Sequence, residues 1–425
     1  MRTMTALILL AVVSSVAFAQ DLVIGNARIV DGNGGVIDNG SIVVNDGRIV
    51  SVSAGTAAAE GALRIDAQGR TVMPAFTDAH RHVIQGDPDQ WMAEEAEQNM
   101  RDWLEAGFTT ILSAGDSAEH ILELRRRLAE GEIEGPRLIA SGRVPLAVGP
   151  GGFVAGVDPA RLDQSRGSNR PSEAAEAIPH EQTRAAVQAL ADAGFDAIKT
   201  AIVVTPNGPE TETLAVVADE ARRQGMASIT HAVTVADTMA AVEARTDTLV
   251  HTPHIGHLTE DQVRTIVDSG IPMTSTLGVF VPTFAVDNAM VRERTGDDNI
   301  ARFRDLEPFP YVTLLSAGQG PVNARLLWEG GIVYGYGTDV RFLPADSLAH
   351  ELRPLRLVFS HADIVQILTK NAAVMVGLGD ESGTLEAGKL ADIVMVDGDP
   401  LTDIAAVHNV VLVVKSGEVV VDNRN

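Results

Sequence analysis

Residues 71–83, TVMPAFTDAHRHV, form an apolar run that ends in two histidines. In a β-strand successive side chains point to opposite faces, so His80 and His82 point the same way and Arg81 points the other way. Two imidazoles side by side make a poor core but suit a divalent metal. A surface pair at the end of a strand is the alternative, and the rest of the chain has to decide.

Seven further apolar runs follow this one, and helical stretches such as TLAVVADEARRQG lie between several of them. The eight runs cover residues 74–82, 108–113, 137–141, 195–200, 226–231, 248–251, 271–276 and 332–339. Eight alternating β and α units predict an α/β fold, a closed (β/α)8 TIM barrel with its helices outside. A doubly wound open sheet is the alternative, but the sequence lacks the glycine-rich phosphate turn that such sheets usually carry.

Both ends of the chain are rich in short alternating runs. Asn-Gly, Asp-Gly and Gly-Gly pairs separate the runs near the amino terminus, which is typical of hairpins, and the tail is similar in style. Two strand-rich ends around a long middle predict one small β-sandwich domain built from both. The predicted division is a small domain from residues 20–73 and 381–425 around a barrel from residues 74–380.

The composition excludes some classes of function. The 425-residue chain has 45% hydrophobic residues and a formal net charge of -24, so its surface repels nucleic-acid phosphates. The chain contains no cysteine. We therefore expect no disulfides, and any metal must be held by histidines, carboxylates or a less usual ligand.

The first 19 residues, MRTMTALILLAVVSSVAFA, have the pattern of a secretory signal peptide. Arg2 gives a positive start, an apolar stretch follows, and Ala17 and Ala19 form a small-x-small cleavage site. A membrane anchor is the alternative, but an apolar stretch of about 14 residues is short for one. We expect a periplasmic or secreted protein that begins near Gln20 and has no membrane segment after processing.

Polar residues of unusual kinds fall at the ends of the predicted strands. His80 and His82 close the first run, His231 the fifth, His251 the sixth and Asp339 the eighth. The carboxyl ends of barrel strands meet at one mouth, where the chemistry of such barrels takes place. Side chains of these types converging there predict a divalent metal site, with zinc as the expected ion.

Lys199 lies in GFDAIKTAIVV, where the surrounding residues predict a buried strand. Burial of an ammonium group lowers its pKa and leaves a nucleophilic neutral amine. Near two metals such an amine can react with carbon dioxide, and the resulting carbamate is an anionic bridging ligand. The alternative is a lysine at a strand edge whose amine reaches solvent.

Taken in order, the motifs resemble those of the amidohydrolase superfamily, and in particular its imidazolonepropionase-like and prolidase-like metal-dependent hydrolases. The similarity rests on MPAFTDAHRH, GFDAIKT, SITHA, LVHTPH, GYGTDV and the tail GTLEAGKLADIVMVDGDPL. It implies two divalent metal ions. The implied ligands are His80, His82 and Asp339 for the first ion, His231 and His251 for the second, and carboxylated Lys199 as a bridge between them.

Two positions depart from the family pattern. Ala75 stands in MPAF where relatives commonly have a glycine after the proline, and alanine should be tolerated at that turn. Phe153, in GPGGF, stands where dipeptidase-like relatives often have a histidine that grips the substrate carboxylate. The second departure argues against a strict dipeptidase.

The resemblance also implies a mechanism. Two metals that share one water lower its pKa and create a hydroxide at the substrate, while Asp339 takes the proton and delivers it to the leaving group. The expected reaction is hydrolysis of an amide C–N bond in a small-molecule substrate, a peptide or an N-acyl amino acid, including apolar ones.

Three other functions compete with amide hydrolysis. A lactonase, carbamate hydrolase or phosphotriester hydrolase would use the same site. A secreted binding protein without catalysis would have little reason to keep both Lys199 and Asp339. A deaminase needs a glutamate acid/base near the fifth strand, and SITHAVTVAD contains none. The sequence leaves the oligomeric state open, and a homo-oligomer is allowed.

Candidate substrate contacts follow the ligand-bearing strands. Arg143, His254, His257 and Arg341 could each meet a substrate carboxylate or carbonyl, and a salt bridge or a solvated loop explains each equally well. The long connection from residue 277 to residue 331 carries apolar and aromatic clusters, GVFVPTFAV and EPFPYVTLL. It is expected to be either a lid over an apolar pocket or a helical insertion on the outer face of the barrel.

Overall fold

The computed structural model describes residues 21–148, 174–281 and 318–424. The predicted signal peptide, Phe153 and residues 282–317 of the long connection lie outside the described residues. The strands, in chain order, are β1 (Leu22–Val30), β2 (Val36–Asn45), β3 (Arg48–Ala54), β4 (Leu63–Asp66), β5 (Thr71–Pro74), β6 (Phe76–Arg81), β7 (Phe108–Ser113), β8 (Arg137–Arg143), β9 (Ala197–Ala201), β10 (Ala227–His231), β11 (Thr248–Val250), β12 (Met273–Thr274), β13 (Tyr334–Gly335), β14 (Ile393–Val396), β15 (Val410–Lys415) and β16 (Glu418–Asp422).

Helices lie between the barrel strands. Within the described ranges the α-helices are α1 (Pro88–Glu94), α2 (Ala96–Glu105), α3 (Ala118–Ala129), α4 (His180–Asp192), α5 (Glu210–Arg223), α6 (Val235–Glu243), α7 (Glu260–Asp268), α8 (Gln319–Gly330), α9 (Pro344–Val358), α10 (His361–Gln366) and α11 (Ala372–Met375). Each of the longer ones is amphipathic: α2, for example, buries Met100, Trp103 and Leu104 and exposes its charged residues. No helix in the described ranges is both long enough and apolar enough to cross a membrane.

Strands β6 to β13 form a parallel barrel in sequential order. The barrel closes between its first and last strands, where Ala79 N donates to Tyr336 O at 3.0 Å and Asp339 N donates to His80 O at 2.9 Å. The predicted TIM barrel is therefore confirmed. Because all eight strands run in the same direction, their carboxyl ends meet at one mouth.

The last barrel strand passes very close to the first. A Cβ atom on Gly337 would lie 2.3 Å from Thr274 Cγ2 and 2.9 Å from His80 Cβ, so only glycine fits at this point. Behind this strand a π-helical turn, Ile367–Asn371, supplies two more contacts. Tyr336 N donates to Ile367 O at 3.0 Å, and Asn371 Nδ2 donates to Tyr334 O at 2.9 Å. The short strand is thus held from both sides.

The remaining strands, from the two chain ends, form one mixed sheet in the order β16-β15-β14-β5-β1-β2-β3, with β4 beside β1. Backbone hydrogen bonds outside the strand pairs also join the two chain ends, since Ala391 N donates to Gly47 O at 2.8 Å and Gly417 N donates to Ala391 O at 3.1 Å. The sheet encloses its own apolar core, which includes Ile24, Ile42, Met395 and Leu412. This small domain from both ends is the one that the sequence predicted, while its boundaries in residues stay a prediction.

A buried ion pair joins the small sheet to the barrel. Asp392 is buried beside β14, and its Oδ2 accepts from Arg137 Nη1 of β8 at 3.0 Å. Its Oδ1 accepts from Ser416 N at 2.8 Å. Removing Arg137 would leave the buried Asp392 carboxylate without its ion-pair partner, which is costly, so this pair helps to hold the two sheets together.

Candidate metal centre

The six predicted ligands all lie at the mouth of the barrel, at or just beyond the carboxyl ends of strands. Lys199 is in β9, and the other five lie in or after β6, β10, β11 and β13. In chain order the six are His80, His82, Lys199, His231, His251 and Asp339. The structure therefore brings together side chains that are up to 259 positions apart in the sequence, as the barrel topology requires.

Asp339 occupies the middle of this group. Its Oδ1 lies 3.5 Å from His80 Nε2 and 3.4 Å from His82 Nε2. Its Oδ2 lies 3.7 Å from His251 Nε2. Oδ1 thus faces the imidazoles of His80 and His82 and Oδ2 faces that of His251, so one carboxylate reaches both halves of the site.

Lys199 and His231 complete the group. The side chain of Lys199 is only 7% exposed, and its Nζ lies 3.5 Å from His80 Nε2. His231 Nδ1 lies 2.7 Å from His251 Nε2. The amine is therefore buried among ligand-type atoms, and it does not reach solvent at a strand edge.

The spacing of the ligand-type atoms around Asp339 fits a divalent ion, whereas His231 Nδ1 and His251 Nε2, 2.7 Å apart, are at hydrogen-bond distance. Ligand atoms about 2.1 Å from a zinc ion at tetrahedral corners lie roughly 3.4 Å apart, close to the separations around Asp339. One ligand atom from each of His80, His251 and Asp339 lies within 4.8 Å of the other two. This trio spans both of the ligand groups that the resemblance separates, because Asp339 lies between them. Two imidazoles and a carboxylate are a suitable donor set for zinc.

The histidines are in the protonation state that ligands need. Burial is the largest cause that lowers the pKa of His80 to about 4 and the pKa values of His82 and His231 to about 3. Burial also holds the pKa of His251 well below its ordinary value. At neutral pH all four imidazoles are therefore uncharged and keep a lone pair for a metal.

The two other titratable groups of the site are also shifted. Burial alone would raise the pKa of Asp339, but the imidazoles of His80, His82 and His251 outweigh it and hold that pKa well below its ordinary value. Burial lowers the pKa of Lys199 to about 7; the charge of Arg143 adds to this shift and Asp339 opposes it. An ionised carboxylate thus lies beside an amine that loses its proton near neutral pH.

Three residues of the mouth have backbone angles that residues other than glycine rarely adopt. His251, Thr276 and Asp339 follow three successive strands, and their φ angles are 76°, 44° and 50°. Left-handed backbone is uncommon for non-glycine residues, above all for a β-branched one such as threonine. The surrounding structure therefore holds these side chains where extended strands would not place them.

A buried aspartate connects the first strand to the last. Asp78 Oδ1 accepts from His80 N at 3.0 Å and from Thr338 N at 3.2 Å, and its Oδ2 accepts from Thr338 Oγ1 at 2.6 Å. Burial raises the pKa of Asp78 to about 6, against the opposing effects of Thr338 and Arg81. Because Thr338 precedes Asp339, this carboxylate sets the spacing between His80 and Asp339. The sequence pattern assigned it no role.

The four candidate substrate contacts lie in different surroundings. Arg143 is exposed at the end of β8, and its charge lowers the pKa values of His80, His82 and Lys199, so it acts on the site.

The other three candidates divide between the mouth and the surface. His254 is buried and stacks on Phe280, with ring centroids 3.6 Å apart. His257 and Arg341 are exposed. In the part of the chain that the structure describes, no hydrogen bond or ion pair joins either of them to the six ligand residues.

Phe280 borders the candidate metal site, and the sequence pattern placed it only within an apolar cluster. It lies at the start of the long connection after β12, with its ring edge-on to His251 at a centroid distance of 5.3 Å. Its other neighbour is the stacked ring of His254. An apolar ring therefore lies next to a candidate ligand at the mouth of the barrel.

Comparison with known proteins agrees with this geometry. The family model described as the amidohydrolase family matches residues 71–420 of the chain. Over 114 residues the chain is 37% identical to an imidazolonepropionase from Caldanaerobacter subterraneus subsp. tengcongensis. That alignment covers 23% of this chain and 26% of the relative, so the chain spans about a quarter of the curated protein it matches.

Solved structures match over nearly the whole chain. A putative prolidase from Bifidobacterium longum has a TM-score of 0.73 and 25% identity, over 96% of this chain and 97% of that one. A molinate hydrolase has a TM-score of 0.71 and 21% identity, over 95% of this chain and 96% of that one, which shows a shared fold. Because the family model covers most of the sequence, this chain belongs to the amidohydrolase family of hydrolases.

Proposed function

We propose that the chain is a binuclear metal-dependent hydrolase that cleaves amide C–N bonds of peptides or N-acyl amino acids. The observation that carries this proposal is the position of Asp339, whose two carboxylate oxygens face different imidazoles. His80 and His82 would hold one ion, His231 and His251 the other, and carboxylated Lys199 would bridge them. Zinc is the ion that this donor set favours.

Each residue of the site has a separate task in this proposal. When bound, the two ions would lower the pKa of a shared water and polarise the scissile carbonyl. Asp339, ionised at neutral pH, accepts the proton of the attacking water and returns it to the leaving amine. The neutral imidazoles donate no protons and keep their lone pairs for the ions.

Two features of the mouth support an acyl or peptidyl substrate with a carboxylate and an apolar group. Arg143 brings a positive charge within range of His80, His82 and Lys199, and it would attract a substrate carboxylate in an otherwise acidic protein. Phe280 presents an aromatic ring beside His251, next to where the scissile bond would lie. The pairing suits a substrate that is anionic at one end and apolar at the other.

The test is a hydrolysis screen with zinc-loaded protein. The panel contains N-acyl amino acids with short and long acyl chains, dipeptides, lactones and organophosphates. We expect amide hydrolysis that falls by about 10²- to 10⁴-fold in Asp339→Asn, because the general base is lost. The matched control is Asp268→Asn, which changes an exposed aspartate at the end of α7 and should leave turnover unchanged.

Two outcomes would contradict the proposed reaction. Turnover of lactones or organophosphates without amide hydrolysis would assign the site to another bond. Amide hydrolysis that survives in Asp339→Asn would remove the proposed base.

We also propose that the segment before β1 is a signal peptide and that the protein is exported. The support is the pattern of residues 1–19. Protein recovered from outside the cytoplasm should begin at Gln20, and an amino terminus at Met1 would contradict export by this route.

A further inference from the structure

The ring of His251 is held on the side that faces away from the site. Its Nδ1 lies 2.7 Å from Thr276 Oγ1, while its Nε2 faces Asp339 and His231. The hydroxyl of Thr276 also lies 2.9 Å from the backbone oxygen of Ser275 and donates to it. Thr276 is fully buried, so it has no access to water.

These two contacts bear on which ring nitrogen of His251 carries the proton. A threonine hydroxyl has one proton, and the Ser275 carbonyl lies within reach to accept it. With that arrangement Thr276 Oγ1 accepts from His251, and we assign the proton of the neutral imidazole to Nδ1. The lone pair is then on Nε2, the atom that faces the other ligand residues. Hydrogen bonds of this kind commonly orient histidine ligands in metal sites.

Thr276 needs support of its own, because its φ angle of 44° is unfavourable for a β-branched residue. The support comes from α9, through the buried side chain of Glu351. Glu351 Oε1 accepts from Leu277 N at 2.8 Å, and Oε2 accepts from Gly278 N at 2.6 Å. Both donors belong to the turn that immediately follows Thr276, so one buried carboxyl group fixes the backbone at that point.

The turn is built around this carboxylate. A Cβ atom on Gly278 would lie 2.8 Å from Glu351 Oε2, so the turn requires glycine there. His350 Nε2, on the same helix, lies 2.8 Å from Gly278 O. Burial raises the pKa of Glu351 to about 8, and the donors from Ser275, Gly278 and Leu277 oppose that shift because each favours the carboxylate.

We propose that Thr276 and Glu351 are positioning residues of the metal centre: Glu351 fixes the turn after β12, and Thr276 on that turn sets the tautomer and direction of His251. Neither residue is a ligand, and neither touches the substrate. The inference rests on the proposed metal centre and extends it to a second set of residues. It assigns a function to a buried glutamate on a helix outside the barrel.

The test measures how tightly zinc is held. Zinc-loaded protein is dialysed against a series of buffers with fixed free zinc concentrations, and bound zinc is counted by elemental analysis. Thr276→Val and Thr276→Ala both remove the hydroxyl, whereas Thr276→Ser keeps it. We expect the first two to lose one zinc at free concentrations about 10- to 100-fold higher than wild type does, as for other supporting groups of metal sites. Thr276→Ser should stay within about twofold of wild type by the same reasoning.

The matched control is Thr246→Val. Thr246 is also fully buried and hydrogen-bonded, to Ser228 and Thr230, and it precedes β11, so it lies at the opposite end of that strand from His251. It should hold both zinc ions as wild type does even if it melts at a lower temperature. A purely structural effect of losing a buried hydroxyl would affect it as much as the Thr276 variants.

A double-variant comparison tests whether Glu351 acts through the turn. In Glu351→Gln one backbone N–H faces an amide NH2 group, so the turn loosens and the same zinc is held less tightly. If Thr276 is the link, Thr276→Val combined with Glu351→Gln should lose zinc at the same free concentration as Thr276→Val alone. If the losses of zinc affinity from the two substitutions multiplied in the double variant, Glu351 would not act through Thr276.

The remaining outcomes separate the inference from the proposed function. If wild-type protein retains two zinc ions and the two variants without the hydroxyl retain them equally tightly, the inference is wrong and the metal centre stands. Equal loss from Thr276→Ser and Thr276→Val would also defeat it, because packing would then be the cause. If wild type retains no zinc, the proposed function and the inference are both overturned.

Discussion

Among the single residues of the site, Lys199 gives the clearest choice between two interpretations, an ordinary strand residue and a metal ligand. Its side chain is buried, its Nζ lies 3.5 Å from His80 Nε2, and burial lowers its pKa to about 7. A buried amine beside an imidazole contributes little to an apolar core. Lys199 is well placed to become an anionic bridge once carbon dioxide adds to its amine.

Lys199→Ala should therefore reduce both metal content and activity. Removing a ligand shared by two ions leaves each with too few donors, so we expect fewer than two ions per chain and turnover reduced by at least about 10²-fold, as for the loss of other essential site groups. Added short-chain carboxylates should restore part of the activity, because they can replace the carbamate. Elemental analysis and a turnover assay measure the two effects.

Lys415→Ala is the matched control for this change. Lys415 is also largely buried with a lowered pKa, but it lies in the small sheet and its Nζ donates to Gly135 O at 2.6 Å. It should cost stability without any loss of metal. Lys199→Ala with two ions and normal turnover would show that the lysine is a core residue.

A residue of the site could be predicted from the sequence when its role showed in its local pattern. It could not when its role depends on partners that are far away along the chain. The histidines and Asp339 stand at predicted strand ends, so their types and positions suffice. Thr276 and Glu351 carry no such signal, because their partners are 25 and 74 positions away. One clue was available for Glu351: it shares the apolar face of α9 with Leu348, Leu352 and Leu355, where a charge is unusual.

At the scale of elements, strands could be located from apolar runs, but their ends could not. The run at residues 108–113 coincides with β7, whereas the runs at 271–276 and 332–339 contain strands of only two residues, β12 and β13. In both cases the chain leaves the sheet early and turns with a left-handed residue, Thr276 or Asp339. An apolar local sequence is compatible both with a continued strand and with a turn. Only contacts with other elements select the turn.

The closure between the first and last strands can be tested at Gly337. In Gly337→Ala the new methyl group would lie 2.3 Å from Thr274 Cγ2 and 2.9 Å from His80 Cβ, with backbone close behind it. We expect a loss of about 1–3 kcal/mol of unfolding free energy, as for other overpacked positions, measured by denaturant unfolding. Weaker zinc retention should accompany it, because His80 has to move.

Gly25→Ala provides the comparison. Gly25 lies in β1, where a Cβ would make an ordinary contact with Ser41 Oγ at 3.6 Å. This variant should change neither zinc retention nor, by more than a few tenths of a kcal/mol, stability. A Gly337→Ala protein as stable as wild type would show that the strands are not in close contact at this point.

For the whole molecule, the fold could be predicted from the order of the motifs, because a closed barrel requires all eight β-α units in sequence. Eight runs with ligand residues at the ends of four of them are hard to arrange in an open sheet, and the strand-rich ends had to pair with each other. The contacts within the small domain were harder to predict from the sequence, since hydrogen bonds such as Ala391 N to Gly47 O join distant segments. The substrate is the hardest feature to predict from the sequence, because it depends on small differences among the side chains at the mouth of the barrel.

We propose that this barrel holds two divalent ions between its histidines, Lys199 and Asp339. The decisive measurement is elemental analysis of purified wild-type protein that has been saturated with zinc and bicarbonate and then freed of excess metal. We expect close to two zinc ions per chain, because six ligand groups converge and Asp339 faces His80 and His82 on one side and His251 on the other. One ion, or none, in protein that hydrolyses its substrate at full rate would contradict it.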